Sequence, residues 1–217
     1  MKTDLGLQED VAEELAFDPS VDNGNIGVAA KDGVVTLTGK VPSFADKVAA
    51  EKAAKRVSGV KAIAQDIEVE LPAFHERDDA EIAAAALNVL DWEVTVPKDT
   101  VTVRVERGWL TLEGRVNWQF VRQNAERAVR HLIGVVGVTN HITVAPQVAA
   151  ADVTEKIRKT FERSAEIDAQ RVTAETRGTT VTLRGTVHSW TEHDDATRAA
   201  YSVPGVTKVE NDTLVRI

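Results

Sequence analysis

The chain has 217 residues, no cysteine and a net charge of −8. The missing cysteines exclude a disulfide framework, thiolate chemistry and a Cys-based metal site, and the acidic balance excludes duplex nucleic acid held by phosphate neutralisation. No stretch approaches the roughly 18 apolar residues that cross a bilayer, and no apolar run follows Met1-Lys2-Thr3-Asp4-Leu5, so a cytoplasmic protein is expected, or a periplasmic one if a leader has been removed.

Asp4 is the first candidate N-cap. From it Leu7, Val11 and Leu15 recur at helical spacing as far as Phe17, where Asp18-Pro19-Ser20 stops the helix, because proline removes a donor and disfavours helical geometry before it. Ile26 to Ala30 alternates like a strand, and Asp32-Gly33 is a hairpin signal. Val35, Leu37 and Gly39 share one face of a second strand, Thr36 and Thr38 the other. Ser43, with Asp46 three residues on, opens a helix in the manner of a capping box. Gly59 closes that helix from beyond its cap, and Val60 to Val69 is a third strand.

The same order returns twice. Asp78 or Asp79 caps a helix carrying Ile82, Ala86 and Leu90; Thr100–Val105 and Trp109–Val116 are strands about a turn at Glu106-Arg107-Gly108; Phe120–Leu132 is a helix and Gly134–Val144 a strand. Asp152 with Glu155 caps a helix carrying Val153, Ile157 and Phe161. Strands follow at Arg171–Glu175 and Thr180–Val187, then a helix behind a Ser189/Glu192 capping box, then a strand from Val206 to Arg216.

The copies are visible in the residues. Gly33-Val34-Val35-Thr36-Leu37-Thr38-Gly39 reappears as Gly108-Trp109-Leu110-Thr111-Leu112-Glu113-Gly114 and, more loosely, as Thr179-Thr180-Val181-Thr182-Leu183-Arg184-Gly185. Twenty residues after each closing glycine stands Gly-Val: Gly59-Val60, Gly134-Val135 and Gly205-Val206. The period is 75 and then 71 residues, the size of a small domain and not of a solenoid repeat. Three domains are expected, at 1–71, 76–146 and 150–217, each an α-β-β-α-β unit. The short joints contain proline (Pro72, Pro146) and no Gly/Ser tract, so a defined array is expected and not beads on a flexible string.

The Gly-Val-Val-Thr-Leu-Thr-Gly stretch, the following helix, and the Gly-Val strand with its polar residue (Gln65, Asn140, Asn211) together resemble the BON domain, named for osmotic-stress (OsmY) and nodulation proteins of bacteria. The third copy departs from the pattern, with Gly178 one residue early and Thr179 at the hairpin position, which puts its hairpin in doubt. The resemblance implies an α+β fold, a three-stranded mixed sheet with two helices on one face, in tandem copies. It also implies a non-enzymatic, stress-related protein that contacts phospholipid surfaces or protein partners.

The residues agree that catalysis is absent. No nucleophile elbow, phosphate loop or dinucleotide fingerprint follows a strand, and His188 and His193 stand five apart, the wrong spacing for one helical face. No cofactor or metal is expected. Gly39, Gly114 and Gly185 are read as packing positions that let a helix or backbone approach a strand end; with Gly33, Gly59, Gly108, Gly134 and Gly205 they form the structural glycine set.

The second helices differ between units. Residues 115–131 hold Arg115, Arg122, Arg127 and Arg130 against one acid, Glu126, and Trp118 stands where the other units have a capping serine, with Phe120 close behind. Trp118, Phe120, Arg122, Arg127 and Arg130 are therefore candidate contacts for anionic headgroups or a partner, the competing reading being that a neighbouring unit covers the aromatics. The matching stretch 186–202 holds Trp190, Glu192, Asp194 and Asp195 against one base, Arg198. These are candidate assembly contacts, between molecules as a homo-oligomer or within the chain. A small-molecule carrier is a distant reading, because domains this small rarely have room for a pocket.

Overall fold

A computed structural model describes residues 2–145, 153–163 and 171–216. Unit one runs α1 (Asp4–Phe17), β1 (Ile26–Lys31), β2 (Val34–Val41), α2 (Phe44–Arg56) and β3 (Ala62–Val69). Unit two runs α3 (Asp79–Trp92), β4 (Val101–Glu106), β5 (Trp109–Val116), α4 (Gln119–Val129) and β6 (Gly137–Val144). Unit three runs α5 (Val153–Arg163), β7 (Val172–Arg177), β8 (Thr180–Val187), α6 (Trp190–Tyr201) and β9 (Lys208–Val215).

Each unit is a three-stranded sheet with its middle strand central, antiparallel to the first and parallel to the third. Parallel neighbours need a crossover, and the second helix supplies it. Alternation decides the faces: Val35, Leu37 and Val41 are fully buried beneath the helices, and Leu7, Val11 and Leu15 meet them from α1. Units two and three repeat the core with Leu110, Leu112, Ile82 and Ala86, then Val181, Leu183, Ile157 and Phe161. The opposite sheet face stays open, where Trp109 is half exposed and lies over Gly137.

The closing glycines have a definite cause. Gly39, Gly114 and Gly185 hold φ of 119°, 154° and 130°. A Cβ at each would land on the carbonyl oxygen of Asn25, Thr100 or Arg171, the residue that leads into the first strand. The close neighbour is backbone in all three units, not a helix.

The polar residue of each last strand is a tie. Gln65, Asn140 and Asn211 donate through their side-chain amides to the carbonyls of Lys47, Arg122 and His193, at 3.1, 2.9 and 2.9 Å, fastening the second helix to the third strand.

Several local expectations change. Asp4 and Asp79 do not cap; Thr3 and Asp78 do, and Asp78 forms a complete box with Glu81. The displaced acids hold the hairpins instead: Asp4 accepts from the Asp32 amide at 2.9 Å, and Asp79 accepts from both Arg107 and Gly108 at 2.8 Å. Arg107 keeps a left-handed φ of 51° there. The hairpin of unit three forms, by a different turn. Units one and two have positive φ at both turn residues, the I′ pattern; unit three has it at Gly178 alone (φ 63°), the II′ pattern, which wants glycine first. The Ser189 box stays half made. Ser189 accepts from the Glu192 amide, but the Glu192 carboxylate takes the His188 amide at 2.7 Å. α2 ends at Arg56 with Val57 as its cap, so Gly59 lies two residues past the cap. The Asp152 cap lies outside the described residues.

Candidate functional site

The second helices meet one another, and their starts are the contact points. Capping residues Ser43, Trp118 and Ser189 precede α2, α4 and α6, so Phe44, Gln119 and Trp190 hold the same place, the first helical residue. Phe44 packs against the core of unit two. Trp190 packs against the core of unit one, with the Lys55 ammonium 5.8 Å from its ring centroid. Between units two and three, Trp118, Gln119, Phe120 and Gln123 face Arg198, Tyr201 and Ser202 across a cavity of about 320 Å³. Unit one thus addresses two, two addresses three, and three addresses one, so the heterologous contact closes within a single chain.

Charge is crowded along this seam. Burial lowers the Lys52 ammonium's pKa, and Arg130 and Arg127 across the joint lower it further. The His193 ring, by hydrogen bond, holds the Asp194 carboxyl below its ordinary value, and Lys55 adds to this from the neighbouring unit.

The expected contact residues separate into two groups. Trp118 and Phe120 stack on each other at 6.4 Å, with Phe120 half exposed. They stand at the joint, but the arginines do not form a free cationic patch beside them. Arg122 donates to the Asn140 carbonyl at 3.1 Å, and Arg130 is turned inward onto Glu126 at 2.9 Å; Arg127 is exposed.

The acidic set is likewise occupied within its own unit. Glu192 and Asp195 are buried, the first on His188 and the second on Arg198 at 2.7 Å. Asp194 is exposed and faces His193. His188 lies between Arg171, at 2.7 Å, and Glu192. Among the described residues no cluster of three His, Cys, Asp or Glu side chains could hold a metal, and no helix is long and apolar enough to cross a membrane.

Phe44, Gln119, Lys52, Lys55 and Tyr201 escaped the sequence reading. Aligning the residue after each helix cap would have exposed Phe44, Gln119 and Trp190 as one position; the cations and Tyr201 become visible only when the units are docked.

Away from the joints, two apolar anchors stand free at equivalent helix ends. Phe17 closes α1 and Trp92 closes α3, 86 % and 84 % exposed, and Val94 beside Trp92 is 97 % exposed.

The BON domain model matches the chain three times, over residues 3–70, 78–146 and 149–217. No curated protein matches it. Two solved structures show some likeness. One comes from studies of CdsD, described as a structural protein of the type III secretion system of Chlamydia trachomatis; it is 12% identical over 96% of this chain and 91% of that one, with a TM-score of 0.27. The other, the C-terminal domain of CdsD from the same organism, is 13% identical over 100% of both chains, with a TM-score of 0.26. Scores this low do not establish a shared arrangement.

Proposed function

The chain belongs to the BON-domain family, and on that premise we propose that it is a non-enzymatic, stress-related binding scaffold whose three domains contact a phospholipid surface or a protein partner. The observation that supports this reading is the pair of exposed aromatic anchors, Phe17 and Trp92, repeated at the same place in two units. Aromatic side chains suit both protein interfaces and the headgroup layer. Docked units would present both anchors in a fixed relation, as two joined weak contacts require.

Vesicle flotation separates the two classes of partner. Full-length protein is floated with phosphatidylglycerol vesicles, alone and as the Phe17→Ser/Trp92→Ser double variant. Co-flotation that the double variant loses, at unchanged melting temperature, supports the membrane contact. Co-flotation that survives in the double variant removes the anchors from the proposal. No flotation leaves the protein-partner reading.

Self-assembly takes second place. Of the residues it would use, Trp190, Glu192 and Asp195 already have contacts inside the chain, and the exposed Asp194 faces His193; a monomer in solution is the expected state.

A further inference from the structure

The open face of the sheet in unit two differs from those of its sisters. Strand register sets Trp109 beside Gly137, where unit one pairs Val34 with Ala62 and unit three pairs Thr180 with Lys208. One row along, Arg104, Thr111 and Thr139 lie side by side. The sisters have Ala29, Thr36 and Ala64 there, and Glu175, Thr182 and Glu210. Two of these changes seat the ring. A Cβ on Gly137 would stand 2.8, 2.5 and 2.5 Å from three consecutive atoms of the indole's six-membered ring, so the ring lies flat on that backbone. Its Nε1 donates to the Thr139 hydroxyl at 2.8 Å and fixes its direction. One face of the indole is thus covered, yet the residue is 49 % exposed. Among the described residues no other ring stacks on it and no cation lies over it.

A cavity of about 310 Å³ adjoins the ring, at the low end of the range that holds small molecules, lined by Arg104, Glu106, Arg107, Trp109, Thr111 and Val136. It lies on the surface of the sheet, so the small size of the domain does not limit it. Two cations stand in it against one acid, in a chain whose net charge is −8. Among the described residues the side chains of Arg104, Glu106 and Arg107 have no hydrogen-bond or ion-pair partner. Arg107 is anchored at its backbone, where its amide donates to Asp79. The same turn position holds Asp32 in unit one and Gly178 in unit three. Guanidinium groups take phosphate oxygens two at a time, and every nucleobase has a face that stacks on an exposed indole. The cavity therefore joins the two halves of nucleotide recognition, an aromatic platform and unpaired arginines.

We propose that the open sheet face of unit two is a binding site for a mononucleotide. The base lies on the free face of the Trp109 indole, and the phosphate is held by Arg104 and Arg107. Glu106, the one acid of the lining, accepts from a ribose hydroxyl. The acidic balance that excludes a duplex applies to phosphates in a row; a single phosphate needs only these two arginines. Units one and three lack the site, because Val34 and Thr180 stand where the ring would be.

Calorimetric titration of the full chain with adenosine 5′-monophosphate tests this. Adenosine is the control that keeps the base and lacks the phosphate, and ribose 5-phosphate is the control that keeps the phosphate and lacks the base. Saturable binding of one nucleotide per chain is expected, with both controls weaker by roughly tenfold or more. Trp109→Val installs the residue of unit one and abolishes binding. Arg104→Ala with Arg107→Asp does the same for the phosphate contacts and serves if the first variant misfolds; circular dichroism checks both. Absence of saturable nucleotide binding overturns the proposal. So does equal affinity for either control, or binding unchanged in a folded variant.

Discussion

The helix start of unit three and the helix start of unit two share one place in the fold and have opposite contents. Trp190 reaches across to another core and lies under Lys55, while Gln119 puts an amide beside a cavity; the ring N–H of the first and Oε1 of the second are both buried without a partner. The cap shows the same trade. Ser189 caps α6 through its hydroxyl, freeing the next position for a plug; Trp118 makes no side-chain capping bond, and the large ring sits one residue too early to enter the neighbour. Repetition fixes the fold of each unit, and a one-residue shift in where the aromatic falls decides whether a ring or an amide stands at the joint.

Emptying a sealed joint should have the largest effect. Trp190→Ala removes apolar contact from the core of unit one and should cost about 3 kcal/mol in urea unfolding, reduced from the full-burial value because the ring is partly exposed. Phe44→Ala should cost about 2 kcal/mol by the same cavity argument. Scattering profiles should broaden in both variants as the joints loosen. If both unfold like wild type, the plugs do not hold the units together.

Giving the third joint a ring comes next. Gln119→Phe replaces a buried amide, whose Oε1 has no partner, by a ring and should raise stability by about 1 kcal/mol, as cavity-filling changes do. A loss of that size would mean that the third joint does not accept the ring its sisters hold.

The smallest effect contrasts units one and two away from the joints. Arg56 bridges Glu14 and Asp18, both at 2.7 Å, tying α1 to α2. Its counterpart in unit two, one repeat on, is His131. The Ser20 hydroxyl first, and Arg56 next, hold the Asp18 carboxyl at about 2 instead of 3.8. A depressed carboxyl contributes stability that is complete above its ordinary value and is lost as pH falls toward about 2. The urea midpoint should therefore drop between pH 5 and pH 2.5, and drop less in Asp18→Asn. Equal drops would show that the Asp18 carboxylate contributes nothing to this pH dependence.

The order of elements was legible because its signals are local: two-residue alternation, helical spacing, and glycines whose conformation a side chain cannot share. The family pattern was legible for the same reason. What the residues could not disclose depends on groups far along the chain. Asp4 and Asp79 resemble caps, yet they serve hairpins 28 residues away in sequence. Glu192 completes a box pattern by spacing, and the His188 amide takes its carboxylate first. The arginines of α4 read as a patch, and two of them are spent on Asn140 and Glu126. The joints were hidden most deeply, since the contact between Lys55 and Trp190 joins opposite ends of the chain.

That long reach sets an order in time. Each unit closes its sheet through a short hairpin and one crossover helix, events that need only its own 70 or so residues. Synthesis proceeds from the N-terminus and domains fold as they emerge, so unit one is finished long before Trp190 exists. Until α6 is made, the place on unit one where that indole lodges lies bare, and an interrupted chain carries an exposed apolar notch that the full-length protein covers.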